Sequence, residues 1–374
     1  MSEKRTVCKK DMCAGCMACV EKCPKDAIKI EDSLLAYNAI IDTDKCIDCA
    51  VCHKVCQSNY PASFTSPIQW KQGWAKQIKI RSQSSSGGIA AAIEKAFVRD
   101  GGIVCSCTFS NGKFCFEFAE AEEGIQKFVG SKYVKSNPIG IYKIIQKTLK
   151  SKKVLFVGLP CQVSAVRNFV GESLSQNLYT VDLICHGSPS PKVLEMYLKQ
   201  HEVDLGKLSD ISFREKMKYQ LMLNKHHIGV PGTLDRYSIS FLNMLIYTEN
   251  CYQCLYARKE RVSDISLGDS WGSELPEEEK KKGISLVLCQ NEKGKELLNR
   301  SGLHLEDVNI EKAIALNHQL SCPSEKPDER DYFFEKLQYN EDFDRIVQKL
   351  YPKNCFKQNV KAILIMLGFL RGKN

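Results

Sequence analysis

The spacing of apolar positions changes along the chain and outlines its parts. Val154-Leu155-Phe156-Val157-Gly158 and Leu178-Tyr179-Thr180-Val181-Asp182-Leu183 are near-continuous apolar runs. Such runs predict strands covered on both faces, as in a parallel sheet. Residues 163–170 between them predict a crossover helix, which completes a right-handed strand–helix–strand unit. Ile89, Ile93 and Phe97 share one helical face, and Gly101-Gly102 ends that helix. Residues 103–109 and 113–118 predict a hairpin around Asn111-Gly112. Asn137-Pro138 opens a predicted helix over residues 139–149, with the proline in its first turn. Near the start, residues 26–30 and 38–42 alternate as two short paired strands. Residues 74–80 predict the strand that leads into the second domain.

Composition changes this picture at one point. With 43% hydrophobic and 26% charged residues, the 374-residue chain is neither disordered nor fibrous. Its 19 cysteines, however, are unusual. The opening, Met1 to Cys8, has no apolar stretch of the kind that directs export. A cytoplasmic location is therefore expected, where thiols serve as metal ligands or redox groups rather than disulfides. No apolar run reaches the roughly 18 residues of a membrane span.

Cys13, Cys16, Cys19 and Cys23, followed by Pro24, form a C-x2-C-x2-C-x3-C-P run. Cys46, Cys49, Cys52 and Cys56 repeat the spacing, with Gln57 in place of the proline. This spacing brings three thiolates to one corner of a cubane and sends the fourth to the neighbouring cluster. One 4Fe–4S cluster is expected on Cys13, Cys16, Cys19 and Cys56, and the other on Cys46, Cys49, Cys52 and Cys23. Zinc also suits C-x2-C, but structural zinc sites use two close pairs rather than two runs of four. Cys8 falls outside the pattern and reads as a spare thiol. The formal charge of +9 would suit nucleic acid or an anionic membrane. Three cubanes at about −2 each would bring it to roughly +3, and the lysines are scattered, so no nucleic-acid partner is expected.

Further on, Ser84-Ser85-Ser86-Gly87-Gly88 precedes the helix that begins at Ile89. A glycine-flanked helix N-terminus accepts a phosphate, and the same residues serve equally as an N-cap turn. Lys132, in Gly130-Ser131-Lys132-Tyr133, reads either as a phosphate contact or as an exposed lysine in a glycine turn. Cys161 and Cys185 both fall just past the C-terminal ends of predicted parallel strands, the edge at which open α/β sheets bind ligands. With Cys251 and Cys254 they make four thiols, the number a third 4Fe–4S cluster needs, with zinc as the competing occupant. Cys105, Cys107 and Cys115 read as strand side chains packed in the interior, and Cys289, Cys322 and Cys355 as bystanders. His186 is a proton donor or a structural hydrogen-bonding residue.

Seven motifs now stand in order: Ser85-Ser86-Gly87-Gly88, Gly130-Ser131-Lys132-Tyr133, Gly158-Leu159-Pro160-Cys161-Gln162, Asp182-Leu183-Ile184-Cys185-His186-Gly187-Ser188-Pro189-Ser190, Phe213-Arg214-Glu215-Lys216, Cys251-Tyr252-Gln253-Cys254 and Ser263-Asp264-Ile265-Ser266-Leu267-Gly268-Asp269-Ser270-Trp271-Gly272. Together they resemble the beta subunit family of coenzyme F420 hydrogenases and dehydrogenases, in its bacterial form with a fused ferredoxin. The resemblance implies an iron–sulfur flavoprotein with FAD beside a cluster in the second domain. It implies that Ser85, Ser86, Gly87, Gly88, Gly130, Ser131, Lys132 and Tyr133 help hold the FAD. Leu159, Thr248 and Lys218-Tyr219 depart from the family's usual residues.

The expected architecture is an α+β ferredoxin-like domain over residues 1–60, then a linker and leading strand over 61–83. An α/β domain with a largely parallel or mixed sheet follows over 84–330, carrying FAD and a cluster, and a helical tail over 331–374. The expected function is a ferredoxin-linked or F420-type oxidoreductase. Single electrons would pass from the ferredoxin-type clusters through a third cluster to FAD, for hydride chemistry on a small substrate. Its partners would be ferredoxin or another redox protein. The alternatives are a non-catalytic electron-transfer subunit of a larger complex and a zinc-stabilised binding module. Residues 360–371 are apolar between basic ends, too short to span a bilayer, and read as a packed, partner-docking or interfacial helix. Residues 277–282 read as a solvated surface turn.

Overall fold

The computed structural model describes residues 5–370; residues 1–4 and 371–374, including the basic end at Arg371, lie outside it. The N-terminal unit contains α1 (Ala18–Lys22), β1 (Ile28–Asp32), β2 (Tyr37–Ile41) and α2 (Val51–Val55). The strands pair antiparallel, with Ile28 opposite Ile41 and Asp32 opposite Tyr37. Each one-turn helix is entered through a left-handed residue, Met17 (φ 61) or Ala50 (φ 56). The two cysteine runs therefore turn in the same way on either side of the hairpin.

The large sheet is built from β3 (Gln69–Ala75), α3 (Ile78–Gln83), α4 (Ile89–Arg99), β4 (Ile103–Ser110), β5 (Lys113–Ala119), α5 (Ile141–Thr148), β6 (Val154–Gly158), α6 (Pro160–Val170) and β7 (Leu178–Leu183). Beyond these come α7 (Pro191–Gln200), β8 (Ile211–Glu215), β9 (Lys218–Leu223), β10 (His226–His227) and α8 (Arg236–Leu242). The chain then returns through β11 (Ile265–Asp269), α9 (Glu277–Lys282), β12 (Ser285–Cys289), α10 (Glu292–Arg300), β13 (Leu303–Asp307) and α11 (Ile310–Leu316). It ends in α12 (Arg330–Gln338), α13 (Phe343–Leu350) and α14 (Pro352–Met366).

Eight strands lie in the order β13-β3-β12-β11-β7-β6-β4-β5. The central four, β11, β7, β6 and β4, run parallel, and antiparallel strands flank them on both sides. Leu155, Phe156 and Val181 are fully buried, as strands covered on both faces require. A three-stranded sheet, β10-β9-β8, packs with α7, α8, α12 and α13 around Phe213, Tyr197, Tyr237, Phe333 and Phe343.

Two local expectations need correction. The leading strand is residues 69–75 rather than 74–80, because Gly73 pairs with Ser285 on one side and Leu305 on the other. Ile78 and Ile80, which alternate in sequence, lie on a short helix with Ile78 exposed and Ile80 buried. Residues 277–282 are helical, not a turn, and Glu279 pairs with Arg81. In the tail, Cys355 anchors α14, while Phe356, Ile363, Met366 and Leu367 are exposed. Among the described residues no helix is long and apolar enough to cross a membrane.

Candidate electron-transfer site and adjoining groove

The fold brings the N-terminal cysteines into two sets. Cys13, Cys16, Cys19 and Cys56 are buried in one core. Burial raises the Cys16 thiol well above its ordinary range, and the neighbouring Cys19, Cys13 and Cys56 raise it further. Cys23, Cys46, Cys49 and Cys52 line one surface cavity with Pro24, Ile28 and Ile41. Cys56 thus shares burial with the first run, and Cys23 shares a cavity with the second. Main-chain N–H groups point at the sulfurs: Gly15 N to Cys13 Sγ at 3.4 Å and Ala27 N to Cys23 Sγ at 3.3 Å. Cys8, read as a spare thiol, is buried with Cys13 and Cys56 beside it, and these neighbours and burial raise its thiol well above its ordinary range.

A further set forms in the second domain. Cys161 lies in the first turn of α6, Cys185 follows β7, and Cys251 and Cys254 come from the loop after α8. Burial pushes Cys161 up to about 12, and Cys254 and Cys251 add to this. Burial likewise pushes Cys254 up to about 11, with Cys251 adding. Burial raises Cys185 too, with Cys251, Cys161 and Cys254 beside it. The four thiols therefore lie within electrostatic range of one another. Thr248, fully buried, bonds Ser188 O at 3.1 Å and lies 3.5 Å from Cys251 Sγ. Under the loop, Arg261 donates to Asp182 at 2.8 Å and to Tyr256 O at 2.8 Å, all inside the core. Gly187 is a necessity, because with φ 148 any Cβ there would collide with the Tyr247 ring.

On the His186 side of these thiols lies an open groove of about 290 Å³, close to the lower end of the size range of small-molecule sites. Ser85, Ser86, Arg214, Lys216, Asp269 and Trp271 line it. Arg214 grips Asp269 with two bonds, at 2.6 and 2.9 Å, and reaches Tyr133 Oη at 3.3 Å. Its guanidinium stands 5.0 Å from the Tyr219 ring. Burial, then the Arg81 and Arg214 charges, push the Lys216 ammonium down to about 8. That ammonium holds Ser84 O at 2.7 Å and Ser86 O at 3.2 Å, fixing the Ser/Gly turn. His186, next to Cys185, links thiols and groove. Burial lowers it to about 4, and His318, Asp269 and Arg214 are its charged neighbours. Gln319 Nε2 lies 2.7 Å from its Nδ1, and Ser324 Oγ donates to its carbonyl at 2.6 Å, which fits the structural reading.

Of the eight residues expected at FAD, only Ser85 and Ser86 line the groove. Ser131 N donates to Ser85 Oγ at 3.0 Å, so the two motifs do meet. A Cβ at Gly87 would strike Gly73 O and Ser285 N, and Gly88 (φ 81) caps α4. Gly130 takes φ 95 at the turn that leads to Lys132. Lys132 is a correction to both expectations: its ammonium is held by the carbonyls of Phe128, Val129 and Gly130, at 2.8, 3.3 and 3.0 Å. It is therefore tied to its own turn rather than extended into solvent. Tyr133 stacks between Phe241 and Tyr219, at 4.5 and 5.7 Å. The groove cations, Arg214 and Lys216, have no role that the sequence alone assigns, although their motif is visible there. Arginine and lysine two apart on a short apolar strand are the available signal.

The fold and the thiol sets define an iron–sulfur electron-transfer protein. Residues 12–60 match the family model for a 4Fe-4S dicluster domain. Residues 151–311 match the family model for the C terminus of the coenzyme F420 hydrogenase/dehydrogenase beta subunit. Residues 151–311 are thus similar to the C-terminal part of that beta subunit, and residues 12–60 ahead of them to a dicluster domain. Among solved structures, it resembles a chain of the F420-reducing NiFe hydrogenase complex from Methanosarcina barkeri, studied by xenon derivatization. That likeness has a TM-score of 0.50 and 18% identity, over 74% of this chain and 94% of the other. No curated protein sequence matches.

Proposed function

We propose that the chain is an iron–sulfur flavoprotein oxidoreductase. Two 4Fe–4S clusters would occupy the N-terminal sets, a third Cys161, Cys185, Cys251 and Cys254, and FAD the adjoining groove. The observation that carries this reading is the convergence of four thiols from separate segments at the C-terminal edge of the parallel strands, beside a cationic groove. The donor set suits such a cluster. It is all sulfur, and burial keeps the Cys161, Cys185 and Cys254 thiols from ionising until a cationic group binds. The groove suits FAD through Trp271 for a ring and Ser85 and Ser86 for polar groups, with the Arg214 and Lys216 charges standing at its wall. Gly130, Ser131 and Tyr133 support it from behind.

When bound, the clusters supply single-electron transfer and the flavin exchanges electron pairs as hydride. The chain's own residues hold and insulate these groups. Arg261 and Asp182 fix the Cys251–Cys254 loop, and one apolar core encloses the first N-terminal set together with Cys161 and Cys254. Ferredoxin or another redox protein as electron partner, a small substrate of the F420 kind and a cytoplasmic location belong to the same proposal. The test is turnover by the purified chain: reduced ferredoxin is offered with F420 or NAD(P)+, and each reduced cofactor with oxidised ferredoxin. Turnover of one pair supports the enzyme; none, with all cofactors bound, contradicts it. A second reading is a non-catalytic subunit whose exposed α14 stripe docks a catalytic partner. The exposure of Phe356, Ile363 and Leu367 favours it, and activity only after a partner is added would support it.

A further inference from the structure

One buried cation stands between two thiol sets. Lys135 is 7% exposed, and its main-chain N–H is fixed on Pro189 O at 2.9 Å. Its ammonium donates to Ala14 O at 3.2 Å and reaches Asn250 Oδ1 at 3.5 Å. Ala14 lies between Cys13 and Cys16, and Asn250 immediately precedes Cys251. The ammonium therefore bridges the first cysteine loop of the N-terminal unit and the last cysteine loop of the second domain. It also stands 5.5 Å from the Tyr37 ring.

A buried ammonium held only by neutral acceptors is heavily penalised unless negative charge stands close by. Among the described residues Lys135 forms no ion pair with a carboxylate. The groups that face it are the thiols of Cys251, Cys161, Cys13 and Cys185. Burial, the largest influence, lowers its pKa; the four thiols outweigh burial, and the net shift is upward. The cysteines of the outer set, 23, 46, 49 and 52, line a separate surface cavity to which Lys135 does not contribute.

We propose that Lys135 is a positioning residue whose fixed charge joins the Cys13-Cys16-Cys19-Cys56 set to the Cys161-Cys185-Cys251-Cys254 set, making both easier to reduce and making this pair the crossing between domains. The inference rests on reading both sets as cluster ligands. Reduction adds one negative charge to a set, and a nearby cation in a low-dielectric core stabilises that added charge. One electron leaves one set as the other gains it. The ammonium stays protonated throughout, so no atom is transferred.

The test is an EPR-monitored redox titration of the anaerobic full-length protein. Wild type is compared with Lys135→Met, Lys135→Gln and Lys135→Arg. The wave of the second-domain set is identified by its absence in Cys251→Ser. Wild type should hold about 12 irons, from three four-iron clusters. In Lys135→Met, with iron retained, the reduced-to-oxidised ratio of two clusters at a fixed potential should fall about tenfold, equivalent to about 59 mV for one electron. The outer cluster should stay within about twofold, and Lys135→Arg should restore all three. If Lys135→Met loses iron, Lys135→Gln, which keeps a donor toward Ala14 O, is read by the same criterion. Twelve irons with no wave moved, or with all three moved alike, would overturn the role of Lys135 alone. Eight irons and two waves in the wild type would overturn the second-domain cluster and this role with it.

Discussion

The two regions that gather thiols do so by opposite means. In the N-terminal unit, ligand candidates come from two short runs whose local turns are alike, down to the left-handed residues Met17 and Ala50. In the second domain they come from the start of α6, the end of β7 and a loop after α8, spread over residues 161–254. The first arrangement is encoded by spacing, the second by sheet topology. A unit of about sixty residues buries little core and leans on its metal. The second domain has its own fully buried strands and the Arg261–Asp182 pair beneath its thiols. Losing metal should therefore damage the two regions unequally.

Chelation offers the largest test of this contrast. Removing iron anaerobically should unfold residues 5–60 while the central sheet survives, read as hydrogen exchange that becomes fast only in the N-terminal unit. Uniform exchange in both regions would break the comparison. Next in size, Arg261→Met strands a buried carboxylate and should cost about 3–5 kcal/mol in denaturant unfolding, with loosened iron only at the second-domain set. A cost under about 1 kcal/mol would show that the loop does not depend on this pair.

Glu94, on α4 behind the Ser/Gly turn, sharpens the picture through pH. Burial raises its carboxyl to about 7, against Ser106 and Lys132, which lower it. The folded value lies above the ordinary 4.5, so its stabilising contribution is complete below about 4.5 and is lost as pH rises through about 7. Glu94→Gln should therefore be more stable than wild type at pH 8 by roughly 3 kcal/mol and by less than about 1 kcal/mol at pH 5. Equal stability at both values would refute the burial argument. The smallest effect is expected from Ser85→Ala. It removes the acceptor of the Ser131 N–H and should cost about 0.5–1.5 kcal/mol in stability, with flavin affinity weakened less than tenfold.

Much of this was legible in the chain because local rules and fold agree. The runs at 154–158 and 178–183 became the central parallel strands, and Asn111-Gly112 turned the hairpin. Legibility failed where long-range partners decide. β3 owes its bounds to β12 and β13, from far downstream, and not to its own alternation. Lys132 looked like a surface lysine because nothing in Gly-Ser-Lys-Tyr reveals three carbonyls converging on its ammonium. Arg214 and Asp269 are 55 residues apart, and only folding pairs them. Cys8 seemed spare because its neighbours, Cys13 and Cys56, are brought to it by both cysteine loops together.

The most direct measurement is the iron, sulfide and flavin content of the anaerobically purified chain, with Cys251→Ser beside it. About 12 irons, about 12 sulfides and one FAD are expected for wild type, and about eight irons for the variant. Zinc in place of iron, or equal iron in both proteins with no flavin, would contradict the account.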